Sequence, residues 1–133
     1  MSAVIHQAQE RAAWAWQALN DALRDLGNKK TDYGLLVKKL PSWLQVSGLG
    51  QTMAFLFSKS KKPAYKKLFD QLSRRLITTL RARSRAEGME VVTGLAPAEY
   101  RRASYEMMRS AELLKRFADG QIDTEGAELG EDR

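Results

Sequence analysis

Apolar residues recur at every third or fourth position along most of the chain, and no segment alternates between apolar and polar residues with a period of two. The first spacing places apolar side chains on one face of an α-helix, whereas strict alternation would indicate a β-strand. The pattern predicts five main helices, at about residues 2–26, 31–44, 49–57, 63–87 and 97–119. The sequence therefore predicts an all-α, single-domain bundle of about five helices.

Glycine and proline residues mark the expected ends of these helices. Pro41 removes a hydrogen bond inside the second helix, so we expect a kink or a break there. Gly48 and Gly50 lie on either side of Leu49, and glycines this close together predict a tight corner at residues 48–50 between the second and third helices. Pro63 suits the first turn of the fourth helix.

The three tryptophans are expected in two kinds of environment. Trp16 and Trp43 are expected in the core. Trp14 projects about 140° away from the apolar stripe of the first helix. Since an indole is costly to leave in water and aromatic residues concentrate at interfaces, Trp14 is expected either under the second helix or against another subunit.

The length and composition favour one intracellular domain. The 133 residues suit a single modest core, and the absence of cysteine excludes disulfides and fits a reducing cytoplasm. The first residues lack a basic segment followed by an apolar one, and no window approaches 18 apolar residues, so neither a signal peptide nor a membrane span is expected.

The end of the chain differs in composition from the rest. Residues 119–133 carry six acidic side chains and one basic side chain and contain little to bury. Such a segment cannot offset the entropy lost on ordering. We expect a helical domain over residues 1–120 and a disordered acidic tail over residues 121–133.

The remainder of the chain is strongly basic. The net charge is +6 overall, but residues 1–118, with 21 basic and 10 acidic side chains, carry +11. A body this basic favours a polyanionic partner, although a merely solubilising surface is the alternative.

The fourth predicted helix carries much of this charge. Ten basic residues and one acidic residue lie between positions 59 and 85. At 100° per residue, several of the cations fall on the side opposite the apolar stripe, along a ridge about 27 Å long. Because this helix forgoes nearly all ion pairs along its own face, a nucleic-acid backbone is the favoured source of the counter-charge. A solvated surface is the alternative. The candidate nucleic-acid contacts here are Lys66, Lys67, Arg74, Arg81 and Arg85.

The last predicted helix repeats this arrangement. Arg102, Arg109 and Arg116 recur every seven residues on its outer face, with Tyr105 among them as a platform for a base or ribose. In the alternative, the acidic residues of the same helix pair with these arginines and leave no binding face. The acidic residues concerned are Glu106, Glu112 and Asp119.

Catalytic chemistry finds little support in the sequence. His6 is the one histidine, and no second histidine or thiol is present to share a metal ion. Gly48-Leu49-Gly50 lacks the further residues of a phosphate-binding loop. We therefore expect no enzymatic activity, no metal and no cofactor.

Three ordered segments resemble one known family. They are Leu40-Pro41, Gly48-Leu49-Gly50-Gln51 followed by Ala54-Phe55-Leu56, and Tyr100-Arg101 leading to Leu114-Lys115-Arg116-Phe117-Ala118. Together they resemble the small, all-helical subunit of the type III-B CRISPR effector ribonucleoproteins, the Cmr complexes.

The resemblance implies an antiviral defence role without an active site. In that family, several copies stack into a minor filament, beside other Cmr subunits that carry the catalytic activities. The copies line the path of the guide RNA paired with target RNA. The resemblance implies that the glycine segment shapes the fold and that Gln51, with Trp14, contacts a neighbouring subunit. Two alternatives to this function stay open, namely a basic helical adaptor that binds acidic protein surfaces and a DNA-binding regulator.

Overall fold

The structure is a computed structural model, and it describes residues 3–80 and 88–130. All regular elements in these two stretches are helical, which confirms the predicted all-α class. They are α1 (Ala3–Leu26), a 3₁₀ turn (Gly27–Lys29), α2 (Lys30–Ser58), α3 (Pro63–Leu80), α4 (Gly88–Thr93) and α5 (Pro97–Gln121).

The second and third predicted helices are the two halves of α2, which breaks at Gly48 within the predicted corner, and Pro41 lies inside the first half without ending it. One predicted connector differs from the observed structure. The segment expected to be a short connector after residue 88 contains α4, whose Val91 and Val92 are buried. The last turns of the fourth predicted helix, residues 81–87, lie outside the described residues.

The break within α2 occurs at Gly48. Its backbone angles, φ 85° and ψ 169°, are the one non-helical pair within α2 and belong to a region that essentially only glycine adopts. The second half of the helix begins here, at a residue with no side chain that could cap its first amides. Tyr100 of α5 supplies the missing acceptor, since the Gly50 amide donates to Tyr100 Oη over 2.8 Å. A Cβ on Gly50 would lie 3.3 Å from that oxygen.

One of the tryptophans lies elsewhere than expected. Trp14 packs partly buried against the core, and the guanidinium carbon of Arg75 on α3 lies 5.6 Å from its ring centroid. The expectation that Trp16 is a core residue is wrong, because this residue is 48% exposed. Helix α1 turns Ala15, Ala18 and Leu19 inward, and Trp16 lies at the margin of that face.

The segment after α5 packs on the bundle as far as it is described. Ile122 and Thr124 are buried, and Leu129 packs against the core. The expectation of a disordered tail is therefore wrong for its first residues, because two side chains suffice to anchor a segment whose average composition is polar. We call residues 122–129 the C-terminal strap.

Gly34 of α2 makes room for the strap. A Cβ at this position would lie 2.8 Å from Ile122 Cγ2 and 3.0 Å from Thr124 Cγ2, so no larger residue fits without displacing the strap. Lys38, one turn further along α2, donates to Thr124 Oγ1 and lies 3.8 Å from an oxygen of Asp119.

Replacement of Gly48 tests the break in α2. Gly48→Ala should lower the free energy of unfolding by about 1–3 kcal/mol, because alanine does not tolerate these backbone angles. The matched control is Gly120→Ala in α5, where an added Cβ meets nothing within 4 Å. The control should be neutral or stabilising by up to about 1 kcal/mol. Urea denaturation measures both, and equal effects would show that Gly48 is not a special position.

Replacement of Gly34 tests the strap. Gly34→Ala should displace residues 122–124 and increase amide hydrogen exchange there, because the added methyl occupies the space of Ile122 and Thr124. The measurement is hydrogen exchange of the C-terminal peptide by mass spectrometry, again with Gly120→Ala as the control. Unchanged protection in Gly34→Ala would contradict the packing of the strap.

Candidate nucleic-acid interface

The outer face of α5 carries a row of exposed cations. Arg102, Arg109 and Arg116 are all exposed, and Tyr105 beside them is 64% exposed. A seven-residue spacing drifts by only about 20° per step around an α-helix, so the three arginines share one face. At 1.5 Å per residue the row is about 21 Å long. We call these three arginines and Tyr105 the α5 row.

The acidic residue best placed to neutralise the α5 row is turned inward. Glu106 accepts hydrogen bonds from Arg11 of α1, at 2.6 Å from Nε and 2.7 Å from Nη2. It also accepts from Arg75 Nη2 of α3 at 3.0 Å and from Ser110 Oγ at 3.1 Å. Arg75 is 3% exposed and also donates to Glu10. Glu106 is therefore occupied by two cations from other helices.

The electrostatics of Glu106 follow from this cluster. Burial by itself would raise the pKa of its carboxyl, but the hydrogen bonds from Arg11 and Arg75 outweigh burial and hold the pKa below its usual value. Glu106 is thus charged at neutral pH, and its charge is matched within the bundle.

In the described chain, the other three acidic residues of α5 are not paired with the row either. Glu99 accepts a hydrogen bond from the Ala96 amide at the start of the helix, over 3.0 Å. Asp119 is 3.8 Å from Lys38 of α2. Glu112 is exposed, and within the described chain no hydrogen bond or ion pair joins it to an arginine of the α5 row. The contact that the row does make is internal, since Arg109 donates to Tyr105 Oη over 3.1 Å and lies 5.5 Å from its ring centroid. The alternative of self-pairing along the helix is therefore not what the structure shows.

The cations expected on the fourth predicted helix are less available. Lys67 is paired with Asp25 of α1 at 2.7 Å, and Lys66 with Asp70 at 3.1 Å. The hydrogen bond from Lys67 lowers the pKa of Asp25. Lys66 therefore makes an ion pair along its own helix, where the sequence predicts nearly none, and the partner of Lys67 lies on another helix, which helical periodicity does not reveal.

Arg74 keeps the exposed position expected of it, and no described carboxylate pairs with it. Arg81 and Arg85 lie outside the described residues. The ridge on α3 therefore contributes one unpaired cation that can be located, whereas the α5 row contributes three. Contact of any of these residues with RNA stays a prediction.

The two residues expected at a subunit interface differ in accessibility. Trp14 is partly covered by Arg75. Gln51 is exposed and lines a groove of about 240 Å³ with residues on both sides of the break in α2. The other lining residues of this groove are Trp43, Ser47, Thr52 and Phe55. The interface role of Trp14 and Gln51 stays a prediction.

The cluster around Glu106 is not among the sequence-based predictions, although the sequence holds one signal for it. Arg75 follows Leu68 by seven residues and Leu72 by three, so helical periodicity places it within the apolar stripe of α3. An arginine at such a position needs a buried carboxylate.

Membrane-spanning helices and metal-binding clusters are absent from the described parts of the chain. None of the helices there combines the length and the apolar character needed to cross a lipid bilayer. Within the same residues, no group of three or more His, Cys, Asp or Glu side chains is arranged to hold a metal ion.

Comparison with known proteins identifies the family. The model of the family described as CRISPR-associated protein (Cas_Cmr5) matches residues 7–121. The chain belongs to this family. It is also 29% identical over 117 residues to the CRISPR system Cmr subunit Cmr5 of Thermus thermophilus, covering 88% of this chain and 96% of that protein. These findings confirm the family resemblance that was based on Gly48-Leu49-Gly50-Gln51 and two further sequence segments.

The fold agrees with a solved structure of the same family. The X-ray crystal structure of a CRISPR-associated Cmr5 family protein from Thermus thermophilus superposes with a TM-score of 0.73 at 27% identity, covering 92% of this chain and 100% of that one. The strap begins at residue 122, directly after the last residue that the family model matches.

Replacement of Glu106 tests the buried cluster. Because the pKa of Glu106 is depressed in the folded chain, its contribution to stability is present above its unfolded pKa, about 4.3, and is lost as the pH falls through the folded pKa. Glu106→Gln should cost about 3 kcal/mol at pH 7, since it leaves two buried cations short of a counter-charge. Its stability should also change less than that of the unaltered chain between pH 5 and pH 3.

The measurement is urea denaturation at pH 7, 5 and 3. The matched control is Glu112→Gln on the exposed side of the same helix, which should behave like the unaltered chain. If both variants showed the same stability and the same pH dependence, the cluster would not be what holds α5.

Proposed function

We propose that this chain is a non-catalytic subunit of a type III-B Cmr ribonucleoprotein and contacts the guide–target RNA path through the α5 row. Family membership supports the assignment to such a complex, because the relative in Thermus thermophilus is described as a Cmr subunit and matches over nearly its whole length. We propose further that copies of the chain stack beside other subunits in the cytoplasm and thereby serve antiviral defence.

One observation carries the RNA-binding part of the proposal. Three arginines stand exposed along about 21 Å of one helix, while Glu106, which lies between them in the sequence, is paired inside the bundle. Exposed like charges repel one another, and a face that keeps them without carboxylate partners suits an external polyanion.

Arginine suits phosphate for a geometric reason. The planar guanidinium presents parallel N–H donors that match two phosphate oxygens. Contacts of this kind position a nucleic acid without reading its bases, so any guide sequence is accommodated. Neutralising three phosphates of a duplex gives a slope of about −3 in a plot of log affinity against log salt concentration.

Charge reversal on α5 tests this proposal. The triple variant Arg102→Glu, Arg109→Glu and Arg116→Glu should weaken RNA binding about tenfold or more at about 0.1 M salt, because phosphate attraction becomes repulsion. The measurement is fluorescence anisotropy with labelled RNA, for the isolated chain and for the assembled complex. The slope of affinity against salt should flatten in the triple variant.

The control must change the net charge equally at another place. Lys29, Lys30 and Lys39 are exposed on the 3₁₀ turn and α2, and their triple replacement by Glu introduces the same charge change. This control should retain most of the affinity. Equal losses in both triple variants would reduce the effect to net charge and contradict a defined α5 site.

The adaptor alternative predicts a different outcome. If the basic face met acidic protein surfaces instead of RNA, the α5 variant would lose partner subunits in a pull-down that ribonuclease treatment does not affect. Loss of association on ribonuclease digestion of the unaltered complex supports the RNA proposal.

A further inference from the structure

Trp16 is the exposed aromatic residue that the proposed function leaves unexplained. It lies on α1 next to Phe117 of α5, with ring centroids 5.4 Å apart and ring planes at 85°. The edge-to-face contact fixes the indole against α5, and 48% of the residue stays exposed. An indole held in place and open to solvent is suited to stacking on a planar partner.

A groove lies in the α1–α5 seam, and its lining residue Arg116 directly precedes Phe117, whose ring Trp16 contacts. The two helices run side by side in the same direction, since Arg11 contacts Glu106 and Trp16 contacts Phe117. The small residues Ala8 and Ala12 of α1 line this groove of about 390 Å³ in the seam. Its other lining residues are Arg11, Arg109, Glu112, Leu113 and Arg116. A volume of this size lies within the range of sites that hold small organic groups.

Aromatic residues lie at both ends of this seam, with two cations between them. Tyr105 lies near one end and Phe117, with Trp16, at the other, about 18 Å away along α5. Arg109 and Arg116 lie between them, and both line the groove. Basic side chains beside an exposed aromatic ring are typical of surfaces that bind single-stranded nucleic acid.

We infer that the α1–α5 seam binds unpaired nucleotides of single-stranded RNA, with a base stacked on Trp16 and the flanking phosphates on Arg109 and Arg116. This inference rests on the proposed function and adds that the surface distinguishes an unpaired strand from a duplex. The faces of the bases are covered by their neighbours in a duplex, whereas an unpaired base can lie against an aromatic ring.

Glu112 on the groove indicates how the nucleotide is oriented. A carboxylate disfavours a phosphate beside it, so the neutral base and ribose enter the groove while the phosphates stay at its rim with the arginines. The hydroxyl groups of the ribose can donate hydrogen bonds to Glu112. Stacking tolerates every base, so the site does not depend on sequence.

The test compares single-stranded and duplex RNA on the full chain. The probes are a labelled 12-nucleotide RNA of mixed, non-folding sequence and the duplex formed with its complement, at low salt. Trp16→Ala should weaken binding of the single strand roughly tenfold and change binding of the duplex less than about twofold, because the lost stacking contact exists with the unpaired strand alone. Trp16→Tyr should retain most of the affinity for the single strand.

The matched control is Phe57→Ala. Phe57 is 52% exposed and packs on another aromatic ring, Phe69 at 5.5 Å, but it lies on α2. This variant should bind both probes as the unaltered chain does. Thermal unfolding of each variant verifies that the bundle is intact.

The outcomes separate the inference from the proposed function. Unchanged single-strand affinity in Trp16→Ala, together with weaker binding to both probes in an Arg109→Ala, Arg116→Ala double variant, would overturn the inference and leave the proposed function standing. Loss of complex assembly without loss of RNA affinity would make Trp16 a protein contact and overturn the inference as well. No measurable binding of either probe by the unaltered chain would overturn both.

Discussion

Two arginines from different helices hold the half-buried carboxylate of Glu106, and this contact ties α5 to α1 and α3. A carboxylate can be half-buried here because Arg11 and Arg75 donate to both of its oxygens, which offsets the loss of water. The contact joins α1, α3 and α5 at one point and thereby fixes the rotation of α5 about its axis. The arginines of the α5 row lie about 40–80° from Glu106 around the helix, on the side away from the buried residues, so this rotation leaves them exposed.

A second contact holds the start of α5. Tyr100 accepts the hydrogen bond of the Gly50 amide at the break in α2. The strap then continues from the end of α5 across Gly34 of α2. Helix α5 is therefore fixed near its beginning, at its middle and at its end, and the outward row stands on a rigid support. Rigid placement matters for a surface that is proposed to bind a strand at several points, because less entropy is then lost on binding.

Two acidic residues pair across helices while the cations of α5 stay exposed. Glu106 and Asp25 each pair with a basic residue of another helix, and the arginines of α5 are left without carboxylate partners in the described chain. A surface ion pair contributes little to stability, so leaving these arginines unpaired costs little in the fold. Under the proposed function, this separation makes the outer face available to phosphate and the adjoining seam available to an unpaired base.

Local patterns in the chain were enough to establish the helical class, most helix boundaries, the basic character of the body and the family. A helical period of 3.6 residues, a glycine pair or a motif is complete within a few turns, so each can be read without knowledge of the packing. Which cations are available depends instead on how the helices pack. Arg11 and Glu106 are 95 positions apart and Lys67 and Asp25 are 42 apart, so no local pattern predicts that these charges meet.

The same reason explains the strap and Trp16. The fit of Ile122 against Gly34 depends on distances that differ by less than one ångström, between segments that are far apart in the chain. Average composition does not predict such a fit. Trp16 fits a helical stripe but lies at its margin, and the neighbouring helix decides whether a residue at the margin is covered. Periodicity predicts which face of a helix is buried, whereas the packing of the neighbouring helices decides how far burial extends at the edge of that face.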